Sequence, residues 1–327
     1  MSGAEPPYAG LTPERVLDAL DSVGVRGDGR LLALNSYENR VYQVWRDEEP
    51  PVVAKFYRPA RWSDAQIGEE HAFTTELAER EIPVVAPLVL GGRTLNAFEG
   101  FRFAVFPQRG GRPPELEDPS VLEWIGRFLG RIHAVGESSA FRARPVLDIA
   151  SFGDEPRAYL LENGFIPEEL RDAWVSAVDM ALARVRAAFE TASGARTLRL
   201  HGDCHGGNIL WTGEGPHFVD LDDSRTGPAV QDLWMLLSGD RAAAEQQLGK
   251  LLAGYEIFRE FDRLELLLIE PLRTLRLIHY SAWIARRWDD PAFPAAFPWF
   301  NTSRYWQDRI LELKEQASLM DEAPLRV

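Results

Sequence analysis

The sequence predicts an α+β protein with a bilobal architecture, in which a small β-rich lobe precedes a larger, mostly helical lobe. Residues 31–106 contain short apolar runs separated by turn residues, the pattern of strands joined in hairpins. Residues 107–114 are rich in Gly and Pro and form the natural hinge between two domains. Beyond the hinge, apolar residues recur at helical spacing. We therefore place one domain at 1–107 and a second at 108–327.

Composition indicates an ordinary globular protein of acidic character, with 327 residues of which 45% are hydrophobic. The net charge of −14, from 36 Lys and Arg against 50 Asp and Glu, argues against binding to nucleic acid or to an anionic membrane. A single cysteine rules out an internal disulfide. Because the first residues lack a secretory pattern and no apolar run reaches membrane length, we expect a cytoplasmic protein.

The predicted N-lobe begins with a short helix over 11–22, where Thr12, Pro13 and Glu14 form a typical helix start. A second helix is expected to begin near Ser63. Strands are predicted at 31–34, 40–44 and 52–57 and as a hairpin over 96–106. The segment 81–87 is expected to end the second helix and enter a further strand.

The predicted C-lobe is helical except around one polar, Gly-rich loop at 199–208. The short apolar runs that follow this loop, with turn residues between them, predict a β-hairpin. The hairpin strands are 209–211 and 217–219, and helices are predicted at 121–135, at 168–193, from Asp232 onward and over most of 240–318.

The polar loop and its hairpin carry three side chains at fixed offsets, Asp203, Asn208 and Asp220. Phosphoryl transfer needs such a set: one carboxylate orients the acceptor hydroxyl and takes its proton, while a carboxamide and a second carboxylate hold Mg²⁺ on the triphosphate. Mg²⁺ prefers oxygen ligands and keeps several waters, so two protein ligands suffice. We assign Asp203 as the catalytic base and Asn208 and Asp220 as metal ligands, with Asp220 also in the catalytic set.

Zinc is an alternative ion for this loop, because His201, Cys204 and His205 are close in sequence. A zinc site needs further ligands, and the only cysteine of the chain is already in this group. We instead expect His201 to orient the loop and Cys204 to be a small packed side chain.

The spacing of Asp203, Asn208 and Asp220 resembles the aminoglycoside-phosphotransferase branch of the protein-kinase-like superfamily, which carries His-Gly-Asp, an Asn five residues later and an Asp after a strand. The resemblance implies a protein-kinase-like fold, whose first lobe binds the nucleotide and whose second lobe serves catalysis and the acceptor. It also implies that Asp232 hydrogen-bonds back to the catalytic loop; the alternative is a carboxylate favoured by a helix start. We expect His133 to be a packed structural residue.

Lys55 lies in an apolar, β-branched run, where burying an unpaired ammonium is costly. In the kinase-like fold, a Lys on the third strand pairs the nucleotide phosphates and a Glu on the following helix. We choose Glu70 over Glu69 as that partner, because it shares the helix face of Phe73 and Leu77. A Lys that reaches solvent from an edge strand and a solvated Glu remain the alternatives.

The remaining nucleotide contacts rest on the resemblance. The loop at 35–39 would cover the phosphates, but it lacks the Gly-x-Gly-x-x-Gly pattern, so Ser36 and backbone N–H groups would make the contact. An ordinary polar hairpin is the alternative for this loop. The adenine is expected against Val105, Phe106 and Gln108, through backbone groups.

Six longer segments resemble the stress response kinase A family over nearly the whole chain. The resemblance implies a bacterial Ser/Thr protein kinase, a monomer that uses ATP and Mg²⁺ and phosphorylates proteins, itself included, during stress survival. Asp220 and Asp232 are only twelve residues apart and no Ala-Pro-Glu motif appears, so there is little room for the activation segment of eukaryotic kinases. The segments are 34–42, 53–59, 200–205, 218–223, 227–237 and 290–294.

Two other functions remain open. One is a small-molecule kinase that acts on an amino alcohol, sugar or antibiotic hydroxyl, and the other is a pseudokinase that binds nucleotide as a scaffold. The intact Lys55, Asp203, Asn208 and Asp220 argue against the pseudokinase.

A basic and aromatic cluster near the C-terminus is a candidate acceptor surface. Cationic side chains there would favour an acidic acceptor and offset the repulsion from a protein of net charge −14. The alternative is that these arginines brace the helices by pairing with Glu270, Asp289 and Asp290. The cluster comprises Arg273, Arg276, Arg286, Arg287 and Trp288.

Overall fold

The computed structural model describes residues 6–327, which form two compact units. The N-terminal unit contains the described residues up to Pro114 together with 141–144 and 206–224, so it includes Asn208 and Asp220. The predicted lobe boundary between residues 107 and 108 stays a prediction. The C-terminal unit comprises Glu115–Ala140, Pro145–His205 and Arg225–Val327.

A five-stranded sheet with the order β1-β2-β3-β5-β4 forms the centre of the N-terminal unit. All neighbouring strands are antiparallel, and Lys55 of the third strand stands opposite Val41 and Ala104. The elements are α1 (Pro13–Asp21), β1 (Leu31–Leu34), β2 (Arg40–Val44), β3 (Val52–Phe56), α2 (Asp64–Glu79), β4 (Asn96–Phe98) and β5 (Phe101–Pro107).

Side-chain alternation along β3 decides which residues face which helix, because successive side chains of a strand point to opposite faces. Phe56 packs in a core with Leu20 of α1. Tyr57 packs instead with Ile67 of α2. Lys55 therefore shares the α2 face of the sheet with Tyr57, and it does not enter the α1 core.

Local sequence signals account for the start of α2 and for the irregular chain after it. Ser63 accepts the N–H of Gln66, and the Gln66 side chain accepts the N–H of Ser63, which closes a capping box at the predicted start. The strand predicted at 81–87 is wrong, since Val84 makes only an isolated bridge there. Prolines at 83 and 87 have no N–H to continue a ladder.

The C-terminal unit alternates helices with one short strand pair, in which β6 and β9 are antiparallel. The intervening hairpin of β7 and β8 belongs to the N-terminal unit. The elements up to the hairpin are α3 (Pro119–Glu137), α4 (Glu155–Glu162), α5 (Glu168–Thr191), β6 (Thr197–Leu200), β7 (Ile209–Thr212) and β8 (Gly215–Phe218). They are followed by β9 (Arg225–Pro228), α6 (Gln231–Trp234), α7 (Arg241–Tyr255), α8 (Ile269–Ala285), α9 (Ala292–Ala296) and α10 (Ser303–Leu319).

One hydrophobic core of the C-terminal unit lies among α5, α8 and α10. Trp174 of α5 and Trp306 of α10 meet edge to face, with ring centroids 6.2 Å apart. Leu275 and Ile278 of α8 are buried in the same cluster. Each fully buried side chain of this size stabilises the fold by about 1.5–3 kcal/mol, so α8 is firmly anchored by its apolar face.

Glycines let α3 and α7 pack with their backbones in direct contact. A Cβ on Gly126 would lie 2.0 Å from the carbonyl oxygen of Leu251, and a Cβ on Gly254 would lie 2.0 Å from that of Glu123. Any larger side chain at either position would push the helices apart. The contact fixes α3, the helix that carries His133.

The α+β architecture predicted from the sequence is confirmed by the five-stranded sheet and the mostly helical remainder. The strands at 31–34 and 40–44 lie where predicted, and the helix predicted over 121–135 extends to Pro119–Glu137. Within the described residues, no helix has both the length and the apolar character needed to cross a membrane.

Candidate active site

The loop that carries Asp203 is held in place by a buried carboxylate. The loop begins where β6 ends at Leu200, and Asp232 accepts the backbone N–H groups of His201 and Gly202, both at 2.8 Å. Asp232 is fully buried, so these N–H groups take the place of water around its charge. The expectation that Asp232 hydrogen-bonds back to the loop is confirmed.

His133 of α3 supports Asp232 from the other side. Its Nε2 lies 3.0 Å from Asp232 Oδ2, and its Nδ1 lies 2.9 Å from the hydroxyl of Tyr255. Burial lowers the pKa of His133, although hydrogen bonding to Asp232 opposes that shift. A neutral imidazole with its proton on Nε2 satisfies both contacts, because it donates to Asp232 and accepts from Tyr255. His133 is a packed structural histidine, as predicted.

Both carboxylate oxygens of Asp203 lie beside basic side chains of the same unit. Nη1 of Arg276 donates to Oδ1 at 2.7 Å, and Nε2 of His205 lies 3.5 Å from Oδ2. The Asp203 side chain is 24% exposed, so part of the carboxylate is accessible to solvent. The sequence predicts the carboxylate but not the arginine beside it, which comes from α8, 73 residues later.

Cys204, between Asp203 and His205, is fully buried and has a free thiol. Burial raises the pKa of this thiol well above its usual value, so the side chain stays neutral and packs as a small apolar group. In the described chain, His, Cys, Asp and Glu residues form no group of three or more that could hold a metal ion. Asn208 is not of these residue types, so the proposed pair of Asn208 and Asp220 stays a prediction.

Lys55 lies among three carboxylates of the N-terminal unit. Its Nζ is 2.8 Å from Asp220 Oδ1, 3.2 Å from Asp222 Oδ1 and 4.0 Å from Glu70 Oε1. The side chain of Lys55 is only 8% exposed. It is therefore a buried, paired lysine, and the alternative of an edge-strand lysine in solvent is wrong.

The charged groups around Lys55 shift one another's pKa values. Burial alone would lower the pKa of Lys55, but Asp220, Asp222 and Glu70 together raise it well above its usual value. Burial also raises the pKa of Glu70 to about 7, with Lys55 acting in the opposite direction. At neutral pH the lysine is charged, and Glu70 is close to its titration midpoint.

Glu69 and Glu70 point to different partners, which supports the choice made from the helix face. Glu70 is buried and faces Lys55. The carboxylate of Glu69 instead accepts three successive backbone N–H groups from the segment 142–144, at 2.7, 2.8 and 2.8 Å. Glu69 thus fixes a distant loop of the same unit, a role that its sequence position does not indicate.

Asp222 and Asp223 are held by Arg61, which sequence reasoning missed. Arg61 Nη1 makes a short ion pair with Asp222, and Nη2 lies 2.9 Å from both oxygens of Asp223. Arg144 donates to the backbone carbonyls of Asp222 and Ser224 at 2.5 and 2.7 Å. These contacts indicate a mainly structural role for the two aspartates.

Ser36 lies partly exposed in the turn between β1 and β2. At the end of that turn, the buried Asn39 donates from Nδ2 to Asp222 at 3.2 Å, and its Oδ1 accepts the backbone N–H of Arg58 at 3.1 Å. The turn is therefore anchored beside the carboxylates that surround Lys55. Phosphate contact by Ser36 stays a prediction.

Asn208 and Asp220 lie on either side of the β7–β8 hairpin. The backbone N–H of Val219 donates to the carbonyl of Asn208 at 3.0 Å, which links the two predicted metal ligands through the backbone. Asp220 adopts a left-handed conformation (φ 60°, ψ 60°), uncommon for a non-glycine residue and frequent at functional sites. Its side chain is 54% exposed. An amide oxygen with an exposed carboxylate is a donor set that fits Mg²⁺.

The residues predicted to contact adenine lie at the end of β5. Val105 is buried, and its carbonyl accepts the N–H of Leu88 at 2.7 Å. The N–H of Gln108 donates to the carbonyl of Pro51 at 3.3 Å. Both backbone groups are thus engaged inside the protein. Adenine binding by Val105, Phe106 and Gln108 stays a prediction that depends on the other backbone groups of this segment.

Comparison with known proteins assigns the chain to a family. Residues 30–267 match the family model described as the phosphotransferase enzyme family, APH. The chain belongs to this family. It also belongs to the stress response kinase A family, as the following similarities show.

Stress response kinase A of Salmonella choleraesuis (strain SC-B67) is 48% identical to this chain over 317 residues. The match covers 97% of this chain and 96% of the relative. The protein of the same name from Escherichia coli (strain K12) matches with the same identity and coverage. A Salmonella typhimurium (strain LT2) relative, also 48% identical over those shares of each chain, is called serine/threonine protein kinase RdoA.

Solved structures share the fold at low sequence identity. Amicoumacin kinase hAmiN, in complex with AMP-PNP, Ca²⁺ and Ami, superposes with a TM-score of 0.70 at 16% identity, covering 91% of this chain and 90% of that one. A microcompartment-associated aminopropanol kinase gives 0.64 at 18% identity, with coverage of 89% and 91%. These similarities establish the kinase-like fold of the phosphotransferase.

The basic cluster at the C-terminus divides into residues with different partners. Arg276 contacts Asp203, whereas Arg273 pairs with Glu270 at 2.9 Å, as the bracing alternative expected. Arg286 stacks over Tyr159, 5.1 Å from the ring centroid. Two further members contact aromatic rings: Arg287 stacks over Trp283, and Trp288 packs against Phe300.

Proposed function

We propose that this phosphotransferase transfers the γ-phosphoryl group of ATP to Ser and Thr hydroxyls of proteins, itself included, in a bacterial stress response. The observation that carries the proposal is a partly exposed Asp203 on a loop whose backbone is bound by the buried Asp232. The names of the relatives at 48% identity support a protein acceptor.

Asp203 acts on the acceptor. The hydroxyl donates a hydrogen bond to the carboxylate, which aims the oxygen at the γ-phosphorus and takes the proton as the new O–P bond forms. The bond from the γ-phosphorus to the bridging oxygen breaks, and ADP leaves. A loop fixed by Asp232 keeps the carboxylate in this orientation at no further entropic cost.

Lys55, Asn208 and Asp220 act on the nucleotide. Lys55 is held by carboxylates on the α2 face of the sheet, so its ammonium is already positioned for a phosphate. Asn208 and Asp220 would hold Mg²⁺, which neutralises charge on the triphosphate when it is bound. Glu70 keeps Lys55 in place as a third, more distant carboxylate.

A small-molecule hydroxyl is the second candidate acceptor. The observation that favours it is the short segment between Asp220 and Asp232, which contains a single turn, β9 and the start of α6. Such a segment offers little support for a bound peptide. Two proteins of the same fold are an amicoumacin kinase and an aminopropanol kinase by name. A protein acceptor would instead have to be bound by the C-terminal helices.

The experiment measures Mg²⁺-dependent ADP release and phosphate incorporation by the purified protein. Three reactions are compared: no acceptor, a bacterial protein extract freed of nucleotides and active kinases, and a mixture of amino alcohols and sugars. Protein phosphorylation at Ser or Thr that is absent with Asp203→Asn supports the proposal. Stimulation by metabolites alone assigns the second candidate. If the wild-type protein releases ADP no faster than Asp203→Asn in all three reactions, the pseudokinase is the function that remains.

A further inference from the structure

The guanidinium of Arg276 lies next to the proposed base and uses only part of its hydrogen-bonding capacity. Its side chain is 40% exposed. Among residues 6–327, the hydrogen bond from Nη1 to Asp203 Oδ1 is the one polar contact of this guanidinium. Arginine has five N–H donors in a planar fork, so four of them remain available.

Arg273, one turn earlier on α8, shows the contrast. Its Nη1 donates to Glu270 at 2.9 Å, and its guanidinium stacks over the ring of Trp234, 5.6 Å from the centroid. Both contacts lie within the C-terminal unit and brace α8. Two arginines on neighbouring turns therefore have different surroundings, and only Arg276 contacts the proposed base.

Structural bracing does not explain Arg276. A partly exposed ion pair contributes little to stability. Helix α8 is already anchored by Leu275 and Ile278, which are buried in the hydrophobic core among α5, α8 and α10. A guanidinium fork is, however, well suited to bind the paired oxygens of a carboxylate. An open cationic fork beside the base, in a chain of net charge −14, favours an acceptor that brings negative charge with it.

We propose that Arg276 is a positioning and specificity residue that selects acidic protein segments as phosphoryl acceptors. Nη1 orients Asp203 through Oδ1, and the remaining N–H groups bind an Asp or Glu side chain that flanks the acceptor Ser or Thr. The acceptor hydroxyl then reaches Oδ2, which lies 3.5 Å from the ring of His205. This inference rests on the proposed function, in which Asp203 is the base.

The test uses a peptide library with a fixed central Ser or Thr and random flanking residues. Wild-type protein, Arg276→Gln and Arg276→Lys are compared, and Arg273→Gln is the matched control on the same helix. Phosphorylated peptides are sequenced by mass spectrometry, and kcat and KM are then measured for one acidic peptide and its neutral counterpart with Gln in place of Glu. Nucleotide affinity and melting temperature are recorded for every variant.

The wild type and Arg273→Gln should enrich Asp and Glu next to the phosphorylated residue. Arg276→Gln should lose that enrichment, raise KM for the acidic peptide about tenfold relative to the neutral one, and lower kcat for both. Arg276→Lys should restore part of the acidic preference, because it keeps the charge but not the planar fork. Nucleotide affinity should stay unchanged in all variants.

Three results would overturn the inference: no acidic enrichment in the wild type, the same enrichment in Arg276→Gln, or an equal loss in Arg273→Gln. In each of these cases an inactive Asp203→Asn still supports the proposed function, so the two failures are distinguishable. A wild type that phosphorylates no peptide, while Asp203→Asn releases ADP as fast as wild type, overturns both.

Discussion

The ammonium nitrogen of Lys55 lies 2.8 Å from Oδ1 of Asp220, a residue 165 positions later in the chain. The lysine proposed to pair the phosphates therefore contacts a carboxylate proposed to bind the metal. Because Lys55 is buried and Asp220 is exposed, the lysine is the fixed partner of this pair. We therefore expect a nucleotide bound with its metal ion to interact with both side chains.

Asp203→Asn should reduce turnover by about 10²–10⁴-fold, because the amide cannot accept the proton of the acceptor. Nucleotide binding should persist, since Asp203 acts on the acceptor and not on ATP. Steady-state ADP release and equilibrium titration with a non-hydrolysable ATP analogue measure the two effects. A variant that retains most of its turnover would show that another group is the base.

Lys55→Met should lower turnover by orders of magnitude, because the ammonium positions the phosphates. It should also destabilise the protein by about 3–5 kcal/mol, since the buried carboxylate of Glu70 loses its cation and that of Asp222 keeps only Arg61. Chemical denaturation measures the loss, and Lys250→Met at an exposed position of α7 is the control. Unchanged stability would mean that the carboxylates are satisfied without Lys55.

Double-mutant cycles should rank the partners of Lys55 by distance. Asp222 lies 3.2 Å away and Glu70 lies 4.0 Å away, so Asp222→Asn should couple to Lys55→Met more strongly than Glu70→Gln does. Coupling energies on the order of 0.5–3 kcal/mol are expected for residues in contact. Turnover and unfolding free energy are measured for each single and double variant. Additive effects of Lys55→Met and Glu70→Gln would remove the proposed pair.

Glu70 should make stability depend on pH. Burial raises its pKa to about 7 from an ordinary 4.5, so the folded state holds a proton that the unfolded state releases in that window. The stabilising contribution is therefore present at low pH and is lost as the pH rises from 4.5 to 7, on the order of 3 kcal/mol in total.

Glu70→Gln should remove this dependence. Melting temperature measured from pH 5 to 8 should fall less steeply in the variant than in the wild type. The pKa of Glu265 is also raised by burial to about 7, but that residue is present in both proteins and its contribution cancels. Parallel curves for the two proteins would contradict the assignment to Glu70.

Asp232→Asn should disturb both stability and turnover. His201 and Gly202 donate to different oxygens of Asp232, and Asn keeps only one of these oxygens, so one backbone N–H would face the amide nitrogen. A donor left without an acceptor costs roughly 1–3 kcal/mol. Displacement of the loop should lower turnover by roughly a hundredfold. The control is Asp240→Ala, which removes the N-cap of α7 at a cost of about 1 kcal/mol and should leave turnover per folded molecule unchanged. Equal turnover in both variants would exclude a role of Asp232 in positioning Asp203.

Local physics explains what could be predicted from the sequence. Capping at Ser63 marks the start of α2, and the alternation of β3 gives Lys55 one face of the sheet. The helix face of α2 separates Glu70 from Glu69. Each of these inferences depends on residues within one element, where backbone geometry fixes the spacing of side chains.

By itself, the sequence determined the α+β architecture, the family and the identity of the candidate groups Asp203, Asn208 and Asp220. Only the tertiary structure decided their partners: Asp220 beside Lys55 and Arg276 beside Asp203, 165 and 73 residues apart. Periodicity carries no information about such pairs, because their distance depends on how separate elements pack. The sequence therefore identifies the chemical groups of the site, while packing determines which charges meet.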